Sequence, residues 1–255
     1  MSDAKDRVRA QYGAVGDAYV KSIGHATGDD LPRMVELAEP TGRERMLDIA
    51  TGGGHVARAF APHVAEVVAS DLTPEILEHA ARAFADWDLP NVTTAVADAE
   101  ELPFADDSFD IVTCRIAPHH FPNPAAFIAE VARVLKPGGQ FLLVDSTVPE
   151  REDGAWFNAF EMIRDPSHVR SLTVAEWSSL ITASGMTLTD TQDFRKRHDF
   201  ADWVARSRTS AEDRARLEEM MLHASPARQQ TFDAVIEDGR LVAFTDTKTS
   251  FRAHS

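Results

Sequence analysis

Apolar residues in the middle of this chain come in short unbroken runs rather than at alternate positions. The runs are 46–50, 66–70 (EVVAS), 92–97 (VTTAVA), 109–115 (FDIVTCR) and 140–145 (QFLLVD). Each has strand length and is largely apolar, as expected of strands covered on both faces. Helical stripes lie between them. Thr73 precedes Pro74 as a cap, and Ile76, Leu77, Ala80 and Phe84 share one face. Asn123-Pro124 repeats the device, with Phe127, Ile128, Val131, Val134 and Leu135 facing inward. Pro137-Gly138-Gly139 ends that helix and turns the chain into the next strand. Strands alternating with helices predict a parallel α/β sheet.

Past residue 146 the pattern changes. Thr173-x-x-Glu176 reads as a capping box before Trp177, Leu180 and Ile181, with Gly185 as the stop. Residues 187–194 and 241–251 are strand candidates. Residues 200–236 read as helical, with Trp203, Val204, Leu217, Met220, Met221, Phe232, Val235 and Ile236 as apolar positions. The reading divides one continuous domain into an N-terminal helical segment (1–42), a cofactor half (43–150) and a remainder (151–255) that completes the sheet and adds a cover.

Composition narrows the partners. The chain has 255 residues, 44% apolar, and a formal charge of −15. That acidity disfavours polyanions, so neither nucleic acid nor an anionic membrane surface is expected. The one cysteine, Cys114, cannot form an intrachain disulfide, which suits a reducing compartment. The first residues, MSDAKDRVRAQYG, lack the apolar core of a signal peptide, and no run of about 18 apolar residues exists. A cytoplasmic protein without stable membrane insertion is expected. Oligomeric state is not legible.

The chemistry concentrates in ERMLDIATGGGHVARAF (44–60). A short strand carrying Asp48 runs into Thr51-Gly52-Gly53-Gly54 and then a helix start, the layout of a cofactor-binding loop. Gly52-x-Gly54-x-x-Ala57 satisfies the dinucleotide fingerprint, and Asp71 ends the second strand where a carboxylate can accept from a ribose diol. Both features serve nicotinamide and S-adenosylmethionine enzymes alike. Three observations favour the second. Asp48 would repel a pyrophosphate but suits an ammonium or sulfonium. Asp98 follows the third strand, where an acid can accept from an adenine amino group. Tyr12 and Tyr19, the only tyrosines, precede the loop, so a downstream reductase Tyr-x-x-x-Lys is impossible.

The phrases LDIATGGGHVA, VVASDLTPEIL, VADAEELPFADDSFDIVTCRIAPHHF and EVARVLKPGGQFLLVD resemble class I S-adenosylmethionine-dependent methyltransferases over about residues 40–150. The last two are similar to the branch that includes quinone-biosynthesis C-methyltransferases and many small-molecule methyltransferases. The resemblance implies a Rossmann-like, doubly wound, mostly parallel seven-stranded sheet with a helical cover inserted near the C-terminus. It implies S-adenosyl-L-methionine as cofactor and a small organic acceptor. Asp48 and the backbone of Ala50, Thr51, Gly52 and Gly54 would hold the methionine moiety, and Asp71 the ribose. Leu72 and Ile76 would flank the adenine, and Asp98 and Ala99 would read its edge. Arg115 and Ile116 would lie beneath the sulfonium, and Tyr19 would reach in from an N-terminal helix that closes over the cofactor. Ala50 departs from the family's first loop glycine. An NAD-dependent oxidoreductase and a non-catalytic S-adenosylmethionine-binding protein are the alternatives.

For catalysis, His119 and His120 follow the fourth strand, at the sheet edge where ligands bind; either is a general base or packs the loop. No third ligand stands at metal-site spacing, so no metal is expected. Arg164, His168 and Arg170 form a cluster that faces an anionic acceptor or pairs with nearby acids. The run Arg195, Lys196, Arg197, His198 reads as a solvated turn.

Overall fold

The computed structural model describes residues 3–13 and 30–255. Among the described residues two N-terminal helices, α1 (Asp3–Gly13) and α2 (Asp30–Ala38), precede the sheet. Then come β1 (Arg45–Ile49), α3 (His55–Phe60), β2 (Glu66–Asp71), α4 (Pro74–Asp86), β3 (Val92–Val96), β4 (Phe109–Arg115), α5 (Pro124–Val134) and β5 (Leu135–Thr147). The second half adds α6 (Glu152–Arg164), α7 (Val174–Ala183), β6 (Thr187–Asp199), α8 (Phe200–Arg206), α9 (Ala211–Leu222), α10 (Pro226–Thr231), β7 (Val235–Glu237) and β8 (Arg240–His254).

Seven strands follow one another in the order β3-β2-β1-β4-β5-β8-β6, and short β7 pairs with β8. The first five are parallel, while β8 runs antiparallel to both β5 and β6. This is the Rossmann-like α/β sheet expected from the alternation of runs. The unbroken apolar runs feed two cores. Leu47, Val112, Phe141 and Leu143 join a cluster with Phe127 and Ile128 of α5 and Trp177 of α7. Met46, Ile111, Leu142 and Val144 point the other way, onto α2, α3 and α4 through Met34, Phe60 and Phe84. Neighbouring residues in a strand therefore serve opposite faces, which is why no polar alternation appears.

Strand order reverses between β1 and β4, and a crevice opens there at the carboxyl ends of the strands, as expected at a topological switch point.

The helical cover has a core of its own. Phe157 and Phe160 of α6 pack with Trp203, Leu217, Met221, Phe232 and Phe244. Here the structure corrects the sequence reading. The helical stretch ends at Thr231 and holds three helices, because Ser210 and Ser225 each start a new one by accepting from the backbone of Asp213 and Arg228 at 3.0 and 3.2 Å. Val235 and Ile236 belong to strand β7. The basic run 195–198 is not a turn either: β6 continues to Asp199. The Thr173–Glu176 capping box is present, and Gly185 ends its helix region at φ +90°. Thr73 occupies its cap position without a side-chain bond, whereas Asn123 caps α5 through its side chain.

Candidate functional site

The loop after β1 is shaped by left-handed backbone. Ala50 has φ +54°, Gly52 +54° and Gly54 +78°. At Gly54 a Cβ would stand 2.3 Å from Phe84 Cε1, so the loop passes against α4 where only glycine fits. Ala50 holds the same hand with a methyl group, which costs an L-residue about 1–2 kcal/mol. Ile116, the first residue past β4, has φ +54° as well, an outlier for a β-branched side chain. Strain at both ends of the crevice marks it as a candidate site.

Among the described residues four carboxylates line this crevice, Asp48, Asp71, Asp98 and Glu100, and the first three stand at or beyond a strand end. Asp48 is 1% exposed and accepts from Thr51 Oγ1 at 2.6 Å and Thr113 Oγ1 at 2.8 Å. Burial raises its pKa to about 6, against the pull of those hydroxyls and of Arg115. Asp71 accepts from the backbone of Gly52 at 3.2 Å and Thr73 at 3.0 Å, so the acid also fixes the glycine loop. Burial raises its pKa too. Asp98 accepts from the Glu100 backbone at 3.0 Å and meets Lys5 of α1 at 2.6 Å.

These acids share a cleft of about 1030 Å³ with Ala50, Thr51, Gly52, Leu72, Ile76, Ala99, Arg115 and Ile116. Gly54 lies behind it and shapes the loop. Tyr19 lies outside the described residues. The cleft suits a nucleoside carrying a cationic tail. It offers a buried acid at its base, a second acid for a diol, a third for an amino group, and Leu72 and Ile76 as an apolar wall. Sequence reasoning missed Lys5 and Val8, which cover the cleft from α1.

A second chamber, about 1410 Å³, adjoins it and shares Arg115 and Ile116. Arg115 forms a two-pronged pair with Asp30 of α2 at the junction, at 2.5 and 3.0 Å. Burial raises the Asp30 pKa, and the Arg115 guanidinium outweighs it, so the net shift is down.

His119, Arg164 and His168 all line this chamber. His119 Nδ1 lies 2.6 Å from Asp145 Oδ1. His120 borders the first cleft instead, with Nδ1 3.0 Å from the Ser167 carbonyl. Burial and then the neighbouring His119 hold its pKa down at about 3, so it is neutral. His168 Nε2 sits 2.8 Å from Asn158 Oδ1, and burial lowers its pKa to about 4. It carries no charge at neutral pH. Arg170 is not brought to this chamber. It is half-exposed and pairs with Glu176. Among the described residues no group of three or more His, Cys, Asp or Glu could hold a metal, and no helix is long and apolar enough to cross a membrane.

Residues 47–143 match the model of the methyltransferase domain family. An uncharacterized methyltransferase of Bacillus subtilis, YcgJ, is 38% identical over 221 residues, 86% of this chain and 87% of that one. The crystal structure of a Bacillus halodurans protein described as a candidate methyltransferase superposes with a TM-score of 0.87 at 41% identity, covering 89% of this chain and 99% of that one. The ubiquinone/menaquinone biosynthesis C-methyltransferase of Desulfotalea psychrophila is 36% identical over 124 residues, 46% of this chain and 48% of that one.

Proposed function

The chain belongs to the S-adenosylmethionine-dependent methyltransferases, and we propose that it binds S-adenosyl-L-methionine in the first cleft and methylates a small organic acceptor in the second. The observation that carries this reading is the convergence of Asp48, Asp71 and Asp98 on one cleft around the glycine loop. Asp48 and the backbone of 50–54 would hold the methionine end. Asp71 would accept from the ribose hydroxyls, with Leu72 and Ile76 against the adenine. Asp98 and Ala99 would take the adenine edge. Arg115 and Ile116 would border the sulfonium. When bound, the cofactor supplies a methyl carbon activated by a positive sulfur.

The protein's share is then alignment and exclusion of water, which lowers such barriers by roughly 7–11 kcal/mol. Ile116 borders both cavities, so an acceptor in the second chamber meets the first cleft there. His119 is the general base of this reading. Asp145 accepts at Nδ1, so Nδ1 carries the proton and Nε2 is left to take one from the acceptor. His120 donates to a backbone carbonyl and packs the loop.

The nicotinamide alternative is disfavoured, because a buried carboxylate lining this cleft would repel a pyrophosphate. Calorimetry with S-adenosylmethionine and S-adenosylhomocysteine tests the proposal. Binding of both is expected, with loss in Asp71→Ala; no heat from either at millimolar concentration would overturn it. Methyl transfer itself is read with labelled cofactor and a metabolite extract.

A further inference from the structure

Two histidine rings come together on the wall of the second chamber. His119 follows β4, His168 lies in the loop between α6 and α7, and both line the chamber. Their ring centroids are 5.6 Å apart, with planes tilted by 32°. The His119 carbonyl accepts from the backbone of Val169 and Arg170 at 2.9 and 3.0 Å, so the second loop is docked on the first.

The tautomer of His168 follows from Asn158 of α6. The Asn158 amide nitrogen donates to the Ser171 carbonyl at 3.0 Å, and its oxygen accepts from the Ser171 backbone at 2.7 Å. A flipped amide would set oxygen against oxygen and N–H against N–H, so the oxygen's place is fixed. The same oxygen lies 2.8 Å from His168 Nε2. An amide oxygen cannot donate, so Nε2 carries the ring's proton. Burial and then His119 hold the His168 pKa at about 4, so the neutral ring has a bare Nδ1 that can only accept.

Among the described residues His168 Nδ1 makes no hydrogen bond, and it stays open to solvent. His119 is arranged in the opposite sense. Its Nδ1 faces Asp145, and its Nε2 makes no hydrogen bond among the described residues and is likewise open. Buried Asn158 and buried Asp145 thus hold the two rings by one nitrogen each. The other nitrogens are left for a ligand. An ether or carboxylate brings no proton to such a nitrogen, whereas a hydroxyl or N–H does. His119 Nε2 is taken by the group to be methylated, which leaves His168 Nδ1 for a second donor.

We infer that His168 Nδ1 binds the methyl acceptor, and that the acceptor carries a second neutral hydrogen-bond donor, a hydroxyl or amine N–H, next to the group that His119 deprotonates. This rests on the methyltransferase reading above. Asn158 is then a positioning residue, which acts by fixing the tautomer and place of the His168 ring.

Protein loaded with S-adenosylhomocysteine is titrated by calorimetry with phenol, catechol, 2-aminophenol and 2-methoxyphenol. Catechol or 2-aminophenol should bind about threefold or more tightly than phenol, and the one that does tells hydroxyl from N–H. 2-Methoxyphenol, whose second oxygen only accepts, should gain nothing over phenol. His168→Phe should erase the gain while S-adenosylhomocysteine affinity stays within about twofold, since His168 lines the second chamber rather than the first cleft. Ring 15N spectra at neutral pH should show His168 protonated at Nε2 and bare at Nδ1. The inference is overturned if neither donor probe binds better than phenol, if 2-methoxyphenol gains as much, or if the gain survives in His168→Phe. A proton on Nδ1 would overturn it as well. The wild-type series and the spectra stand without the variant. Failure of the methyltransferase reading shows separately, as absence of S-adenosylhomocysteine binding before any probe is added.

Discussion

His119 Nδ1 lies 2.6 Å from Asp145 Oδ1, joining the loop after β4 to the interior of β5. Asp145 is fully buried, and its second oxygen has no hydrogen-bond partner among the described residues. Its carboxylate thus fixes one ring tautomer and stabilises the imidazolium that forms if Nε2 takes a proton. His119→Ala should lower kcat about 100- to 10,000-fold with S-adenosylhomocysteine affinity unchanged. Asp145→Asn removes the charge and can donate its amide N–H to Nδ1, which leaves the proton on Nε2, so it too should lower kcat with S-adenosylhomocysteine affinity unchanged. These are measured with an acceptor identified from labelled extract; an unchanged kcat in His119→Ala would show that no base acts there.

Two residues of the glycine loop should respond in opposite directions. Ala50 holds φ +54°, so Ala50→Gly relieves strain and should stabilise the protein by up to about 1 kcal/mol, a rise of roughly 2–4 °C in Tm. Gly54→Ala drives a methyl group into Phe84, which is itself buried and packed near Trp87. It should cost about 2–4 kcal/mol, from overpacking plus the left-handed backbone. Thermal unfolding of both variants checks the pair; a Tm drop in Ala50→Gly would mean the methyl contributes packing that outweighs its strain.

That Asp48, Asp71 and Asp98 share one cleft was legible because they fall at the ends of apolar runs. Asp48 and Asp71 stand at the ends of β1 and β2, Asp98 lies past β3, and strand order at a switch point does the rest. The second chamber was not legible, because register assembles it. Lys196 reads as part of a solvated basic run until β6 is paired with β8, which sets it opposite Asp246 at the edge of the chamber. Asp145 reads as the tail of a buried strand, and nothing local connects it to His119. Arg170 sits beside His168 in sequence, yet the chain turns its side chain to Glu176 instead. The helix breaks at Ser210 and Ser225-Pro226 carried their signal openly, and apolar periodicity masked it.

Lys5 of α1 reaches Asp98 and Glu100, both at 2.6 Å, and so ties the helix across the cleft. The pairs are partly exposed and carry modest energy. Lys5→Ala should speed release of S-adenosylhomocysteine roughly two- to fivefold at low salt, and the difference should shrink at high salt as screening weakens the wild-type pairs. Stopped-flow displacement measures it. Slower release in the variant would instead show that Lys5 competes with the ligand for Asp98.

Asp48 makes stability and binding oppose each other. Its pKa rises from 3.8 to about 6 on folding, with burial as the main cause. Between those values the folded state binds more protons than the unfolded one, so this group's contribution falls as pH rises and stays low above about 6. The charged carboxylate therefore costs the ligand-free protein on the order of 3 kcal/mol at neutral pH. Asp48→Asn removes the charge and leaves groups able to bond Thr51 and Thr113. The ligand-free variant should melt higher than wild type at pH 8, and the gap should close as pH falls below about 6 toward 4. The same variant should bind S-adenosylmethionine at least about tenfold more weakly, since on the proposed reading the buried negative charge facing the cationic end is gone. A Tm gap that does not change with pH would show that burial does not hold Asp48 near a pKa of 6.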